Sequence, residues 1–127
     1  MGMVSAFEGK SALLVEDQAL VAMVVRDMLL ELGFSAVEHV LTLAAAMISA
    51  KDRPPDIAIL DLHVTDGITL PVAELLALRR VRSIFVSGDF DVSSKYGINE
   101  KTVLTKPFAP ADLQAALIYA FDAPLLA

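Results

Sequence analysis

Short apolar runs that do not alternate recur along this chain, and two of them stop abruptly on carboxylates. Ser11-Ala12-Leu13-Leu14-Val15 is closed by Glu16-Asp17, and Asp56-Ile57-Ala58-Ile59-Leu60 is closed by Asp61. A strand with one face in water alternates apolar and polar residues, whereas an unbroken run suits a strand buried on both faces, as strands of parallel sheets are. Between these runs the period changes. From Gln18 to Leu32, apolar residues recur at Val21, Val24, Val25, Met28, Leu29 and Leu32, spacings that predict a helix with this core stripe, ended by Gly33.

The alternation continues. Ala36–Val40 reads as a second strand, and Thr42 caps an Ala-rich helix running to about Lys51. After Arg53-Pro54-Pro55 comes the third strand, then a loop through Asp66-Gly67 and a helix over about Pro71–Leu78, with Pro71 in its first turn. Arg82–Ser87 and Thr102–Thr105 read as strands four and five, with a short helix near Val92–Tyr96 between them. A last helix opens at Pro110, aligns Leu113, Ala116, Leu117, Ala120 and Phe121 on one face, and runs until Pro124. Five strands alternating with five helices imply parallel pairing, right-handed crossovers and a three-layer α/β domain. In such sheets ligands bind at the carboxyl ends of the strands, so the residues that close strands carry the functional information.

Composition narrows the classes. The chain has 127 residues, enough for one domain, is 56% apolar and 20% charged, and so is expected to be ordered. A net charge of −6 with no basic block argues against direct nucleic-acid binding. No cysteine is present, which excludes disulfides, thiolate nucleophiles and thiolate metal sites. The longest apolar run, Val40 to Ala50, is eleven residues, too short to span a membrane. Met1 to Lys10 has neither the basic start nor the apolar stretch of a secretory signal, and a cytoplasmic location is the expectation.

The strand-closing residues are Glu16 and Asp17, Asp61, Ser87 and, just past strand five, Lys106. Three carboxylates at close quarters repel unless a cation sits among them, and hard oxygen ligands suit Mg²⁺. Lys106 adds a positive point charge and Ser87 a hydroxyl, both suited to phosphoryl oxygens. Each residue alone has an ordinary role as a cap or loop residue; the combination is what is specific.

Through Leu14-Val15-Glu16-Asp17, Ile57-Ala58-Ile59-Leu60-Asp61, Phe85-Val86-Ser87-Gly88 and Lys106-Pro107-Phe108, the chain resembles the receiver domains of bacterial two-component response regulators, from Ala12 to about Ala120. The resemblance implies a flavodoxin-like (βα)₅ fold with strand order 2-1-3-4-5 and helices on both faces. It also implies that Asp61 accepts a phosphoryl group from a histidine kinase or histidine phosphotransfer protein. Glu16, Asp17, Asp61 and the backbone carbonyl of His63 would hold Mg²⁺, Ser87 and Lys106 would contact the phosphoryl oxygens, and the bond matching Lys106-Pro107 is often cis in the family.

There are departures. Val103 stands where many receivers carry an aromatic switch, and Thr65 where a proline is frequent. Phe85-Val86-Ser87-Gly88-Asp89-Phe90 resembles the Phe-Ala-Thr-Gly-x-Tyr-like strand of some stand-alone receivers. His63 and Asp89 lie two residues beyond Asp61 and Ser87, positions that border the phosphoryl group in the family; His39 reads as structural. The expected organisation is a 1–10 extension, a receiver over 11–122 and a 123–127 tail, a stand-alone receiver with no room for an output domain. Gln18, Ala19, Ala22, Met23 and Arg26 are expected to offer the first helix's outer face to the phosphodonor. Ile118 and Tyr119 are expected to offer a dimer or output patch on the last.

The same residues bear on other classes. Asp61-Leu62-His63-Val64-Thr65 partly resembles the Asp-x-Asp-x-Thr motif of haloacid-dehalogenase-type phosphatases, but His63 replaces the second Asp and the motif would normally follow the first strand. An electron carrier of flavodoxin type lacks its phosphate loop, and a receiver that only binds protein is disfavoured by the intact set of site residues.

Overall fold

The computed structural model describes residues 6–122. Five strands make the central sheet: β1 Ser11–Val15, β2 Ala36–Val40, β3 Ile57–Asp61, β4 Arg82–Ser87 and β5 Val103–Thr105. They lie in the order β2-β1-β3-β4-β5, every neighbouring pair parallel. The helices are α1 Ala19–Glu31, α2 Leu43–Asp52, α3 Leu70–Ala77, α4 Val92–Tyr96 and α5 Pro110–Asp122. The expected three-layer flavodoxin-like order is what the chain forms. Pro124, expected to end the last helix, lies outside the described residues.

The unbroken apolar runs are explained by two cores. Leu14, Ile57, Ile59, Ile84, Val86 and Leu104 point to one side, where Ala22, Val25 and Leu29 of α1 and Leu113, Ala116 and Leu117 of α5 cover them. Leu13, Val15, Ala58, Leu60 and Phe85 point to the other, under Ala46 and Ala50 of α2, Val72 and Leu76 of α3 and Val92 of α4. Each fully buried Leu or Ile contributes roughly 1.5–3 kcal/mol over exposure, so both faces are needed to stabilise a sheet of such short strands. Phe7, within the expected extension, joins the first core: its ring stacks on Phe34 at 5.4 Å and lies 5.9 Å from Phe121.

The buried stripe of α1 corrects one expectation. Ala22, Val25 and Leu29 face the sheet, and Ala22 is 1% exposed, whereas Val24 is 55% exposed. Spacings of three and four from Ala22 describe the helix face better than the string of larger residues does, because a small side chain lets the helix lie close against the sheet. Ala22 therefore belongs to the core and not to a docking surface.

One element is new. Between β3 and α3, His63–Val64 and Gly67–Ile68 pair as a two-residue antiparallel hairpin. Gly67 sits at φ +146°, where a Cβ would also come within 3.0 Å of Leu43 Cδ2. The backbone conformation is what favours glycine here, and Leu43 would have to give way to any side chain.

Candidate functional site

Parallel pairing aligns the carboxyl ends of β1, β3 and β4, and this register assembles the site. Asp61, the last residue of β3, is opposite Val86, one residue before Ser87 closes β4. The N–H of Lys106 donates to the Ser87 carbonyl at 2.8 Å, carrying the β4–β5 alignment one residue past the strand. The Lys106-Pro107 bond is cis, as the resemblance implies.

Lys106 Nζ donates to Glu16 Oε1 at 3.0 Å and to Asp61 Oδ2 at 3.2 Å. Glu16 and Asp61 are buried, and one oxygen from each of Glu16, Asp17 and Asp61 lies within 4.8 Å of the other two. An all-oxygen set of three carboxylates fits a hard divalent cation, since one ammonium cannot balance three negative charges. Ser87 is also buried, and its Oγ accepts the Asp89 N–H at 3.1 Å. The structure thus gathers Glu16, Asp17, Asp61 and Lys106, with Ser87 joined to them through the backbone.

Burial, followed by the charge of Glu16, raises the Asp61 carboxyl from 3.8 to about 6, against the opposing pull of Lys106. Burial alone would lower the Lys106 ammonium, but hydrogen bonds and charge from Glu16 and Asp61 outweigh it and hold the group above its ordinary value. Asp61 is therefore predominantly ionised at neutral pH.

Side chains outside the expected set hold this cluster. His39 Nε2 donates to the Glu16 carbonyl at 2.7 Å, a structural contact. Thr69 Oγ1 donates to the Asp61 carbonyl at 2.8 Å, and Thr65 Oγ1 donates to Asp17 Oδ2 at 3.0 Å. Asp66 accepts from the N–H groups of Leu43 and Ala44 at 2.7 and 3.1 Å, tying the hairpin to the start of α2; these two bonds hold its carboxyl below the ordinary value. The Asp66-Gly67 dipeptide marks a turn in the sequence, but the hairpin's central pair is Thr65-Asp66 and Gly67 already pairs with Val64 in the returning strand. His63 is exposed, its ring edge-on to Tyr96 at 6.4 Å.

Beside the site runs an apolar groove of about 430 Å³ lined by Val21, Val24, Val25, Met28, Lys106, Pro107 and Phe108. Leu20 and Met23 are exposed next to it, at 78% and 60%. Gln18, Ala19 and Arg26 are exposed too, so only Ala22 drops from the expected α1 surface. On α5, Ile118 is exposed, whereas Tyr119 is half-buried, accepts a hydrogen bond from Asn99 at 2.7 Å and lies under Lys101. Among the described residues no helix is long and apolar enough to cross a membrane.

No family model matches the sequence. The solution structure of SdrG from Sphingomonas melonis Fr1 is 35% identical, with a TM-score of 0.76 over 88% of this chain and 96% of that one. The crystal structure of a response regulator receiver protein from Sinorhizobium medicae WSM419 has a TM-score of 0.81 at 21% identity, over 93% and 98% of the two chains. The acid tolerance regulatory protein ActR of Rhizobium meliloti (strain 1021) is 32% identical over 114 residues, 86% of this chain but only 58% of that relative's length.

Proposed function

The chain belongs to the receiver domains of response regulators, and from that premise we propose that it accepts a phosphoryl group on Asp61 from a phosphohistidine in a bacterial two-component phosphorelay. The observation that carries this reading is the Lys106 bridge between Glu16 and Asp61, with Asp17 in the same acidic cluster.

In the reaction an Asp61 oxygen forms a bond to phosphorus in line with the breaking P–N bond, whose electron pair returns to the donor imidazole. Lys106 neutralises charge as it spreads over the transferring oxygens, and the Ser87 hydroxyl donates to one of them. Glu16, Asp17, Asp61 and the His63 backbone carbonyl would hold Mg²⁺, which when bound supplies further neutralisation of that charge. The rigid strand ends keep these groups in place, so little reorganisation is needed as the charge moves. Asp61 ends the third strand in chain order, not the first, which favours this reading over a dehalogenase-type phosphatase.

The phosphodonor, a histidine kinase or histidine phosphotransfer protein, docks on Leu20, Met23, Val24 and the groove that reaches Phe108, with Gln18, Ala19 and Arg26 around it. An exposed apolar surface adjoining the reactive carboxylate suits a partner that must deliver a phosphoryl group there. The receiver unit covers 11–122 with Phe7 packed into its first core, acts in the cytoplasm, and signals or drains phosphate through protein contacts. Ile118 is the apolar residue α5 offers to an output partner. With Val103 at the usual aromatic switch position, output uses the segment from Gly88 to Lys101.

Incubation with Mg²⁺ and acetyl phosphate, followed by intact-mass measurement, tests the function. Wild type gains one phosphoryl mass that hydroxylamine removes, and Asp61→Asn gains none. Equal labelling of the variant contradicts the proposal.

A further inference from the structure

The hairpin after Asp61 is anchored more firmly than a connecting loop needs to be. Asp66 accepts two N–H groups of α2, and Gly67 packs against Leu43. At the hairpin's end the Thr69 N–H donates to the Leu62 carbonyl at 2.9 Å, while its hydroxyl holds the Asp61 carbonyl. The tip residue between these anchors is Thr65, and its hydroxyl is 3.0 Å from Asp17 Oδ2.

Asp17 needs such a partner. Glu16 is held by Lys106 and by the Gln18 N–H at 3.1 Å, and Asp61 is held by Lys106. For the Asp17 side chain the Thr65 hydroxyl is the hydrogen-bond donor, and Asp17 is the least buried of the three acids. A carboxylate free to rotate loses side-chain entropy when it ligates a cation; one already oriented by a fixed hydroxyl has lost it beforehand. A hydrogen bond through one oxygen leaves the other oxygen's lone pairs for the cation.

We propose that Thr65 is a positioning residue for divalent-cation binding, its hydroxyl carried by the anchored hairpin to orient the Asp17 carboxylate. The inference rests on the receiver reading of the site, in which Asp17 is a Mg²⁺ ligand. It concerns this chain's own hairpin, since a proline at position 65 has no hydroxyl to donate.

The test is Mg²⁺ binding to the unphosphorylated protein by isothermal titration calorimetry, for wild type, Thr65→Val and Thr65→Ser. Valine keeps the shape without the donor, and serine keeps the donor without the methyl group. Thr65→Val is expected to bind Mg²⁺ roughly tenfold more weakly, the lower end of what loss of such an outer partner costs. Thr65→Ser is expected to bind within about twofold of wild type, a rescue that a merely structural role for the side chain would not produce. Labelling by acetyl phosphate gives an independent split: the half-saturating Mg²⁺ concentration rises in Thr65→Val while the rate at saturating Mg²⁺ stays near wild type. Equal Mg²⁺ affinity of Thr65→Val and wild type overturns the positioning role and leaves the receiver reading standing. A wild-type protein that binds no Mg²⁺ overturns the metal reading of the site, and this inference with it.

Discussion

Asp61 carries opposing demands. As the proposed phosphoryl acceptor it must be ionised, yet burial and Glu16 make its ionised form costly, raising its carboxyl from 3.8 to about 6. A carboxyl whose folded-state value lies above its unfolded one contributes stability at low pH that is lost as pH rises through about 6. Asp61→Asn is therefore expected to stabilise the cation-free protein by about 2 kcal/mol at pH 7.5 and by almost nothing near pH 3, measured by chemical denaturation in a chelator. A variant no more stable than wild type at pH 7.5 would show that Lys106 fully compensates the carboxylate. The same proton competes with a cation, so Mg²⁺ affinity is expected to fall about tenfold between pH 7 and pH 5. At this scale the sequence was most legible for residues that close strands, because Glu16, Asp17, Asp61 and Ser87 follow recognisable apolar runs. Thr65 and Thr69 were not legible in these roles, and His39 was legible only as structural, since their partners Asp17, the Asp61 carbonyl and the Glu16 carbonyl depend on how the hairpin and β2 pack.

Among the elements, α1 separates two properties that share one sequence pattern. Ala22, Val25 and Leu29 bury, while Val24 and Met23 stay exposed, although the larger side chains suggest otherwise. Ala22→Glu would place a charge under the helix and is expected to cost about 3 kcal/mol or more, read as a lowered denaturation midpoint. Val24→Glu is expected to keep wild-type stability and acetyl phosphate labelling while slowing transfer from a phosphohistidine donor at least tenfold. Unchanged transfer would remove the groove from the interface. The hairpin makes a second element-scale test, because its Asp66 carboxylate joins it to α2. Asp66→Ala is expected to lower Tm, and an unchanged Tm would mean that the anchor is idle. Periodicity could not decide the face of α1, because apolar residues surround much of the helix and only contact with the sheet selects the side.

For the whole molecule, two cores on either side of a five-stranded sheet explain why strands of three to six residues suffice. The alternation of runs and helices made the layering legible, and the resemblance supplied the strand order. Phe7 was not legible as core, because a single aromatic residue ahead of Gly9-Lys10 carries no periodicity; only the packing with Phe34 and Phe121 reveals it. Phe7→Ala is expected to cost about 3 kcal/mol by denaturation, near the low end for a buried aromatic, while the folded fraction still labels at Asp61. The strand ends, the acidic cluster and the adjoining groove all suit the proposed transfer of a phosphoryl group to a buried carboxylate. The most direct measurement is to phosphorylate the protein with Mg²⁺ and acetyl phosphate, reduce the acyl phosphate with borohydride and sequence the peptides. The account predicts homoserine at position 61; homoserine at another acid, or at none, would contradict it.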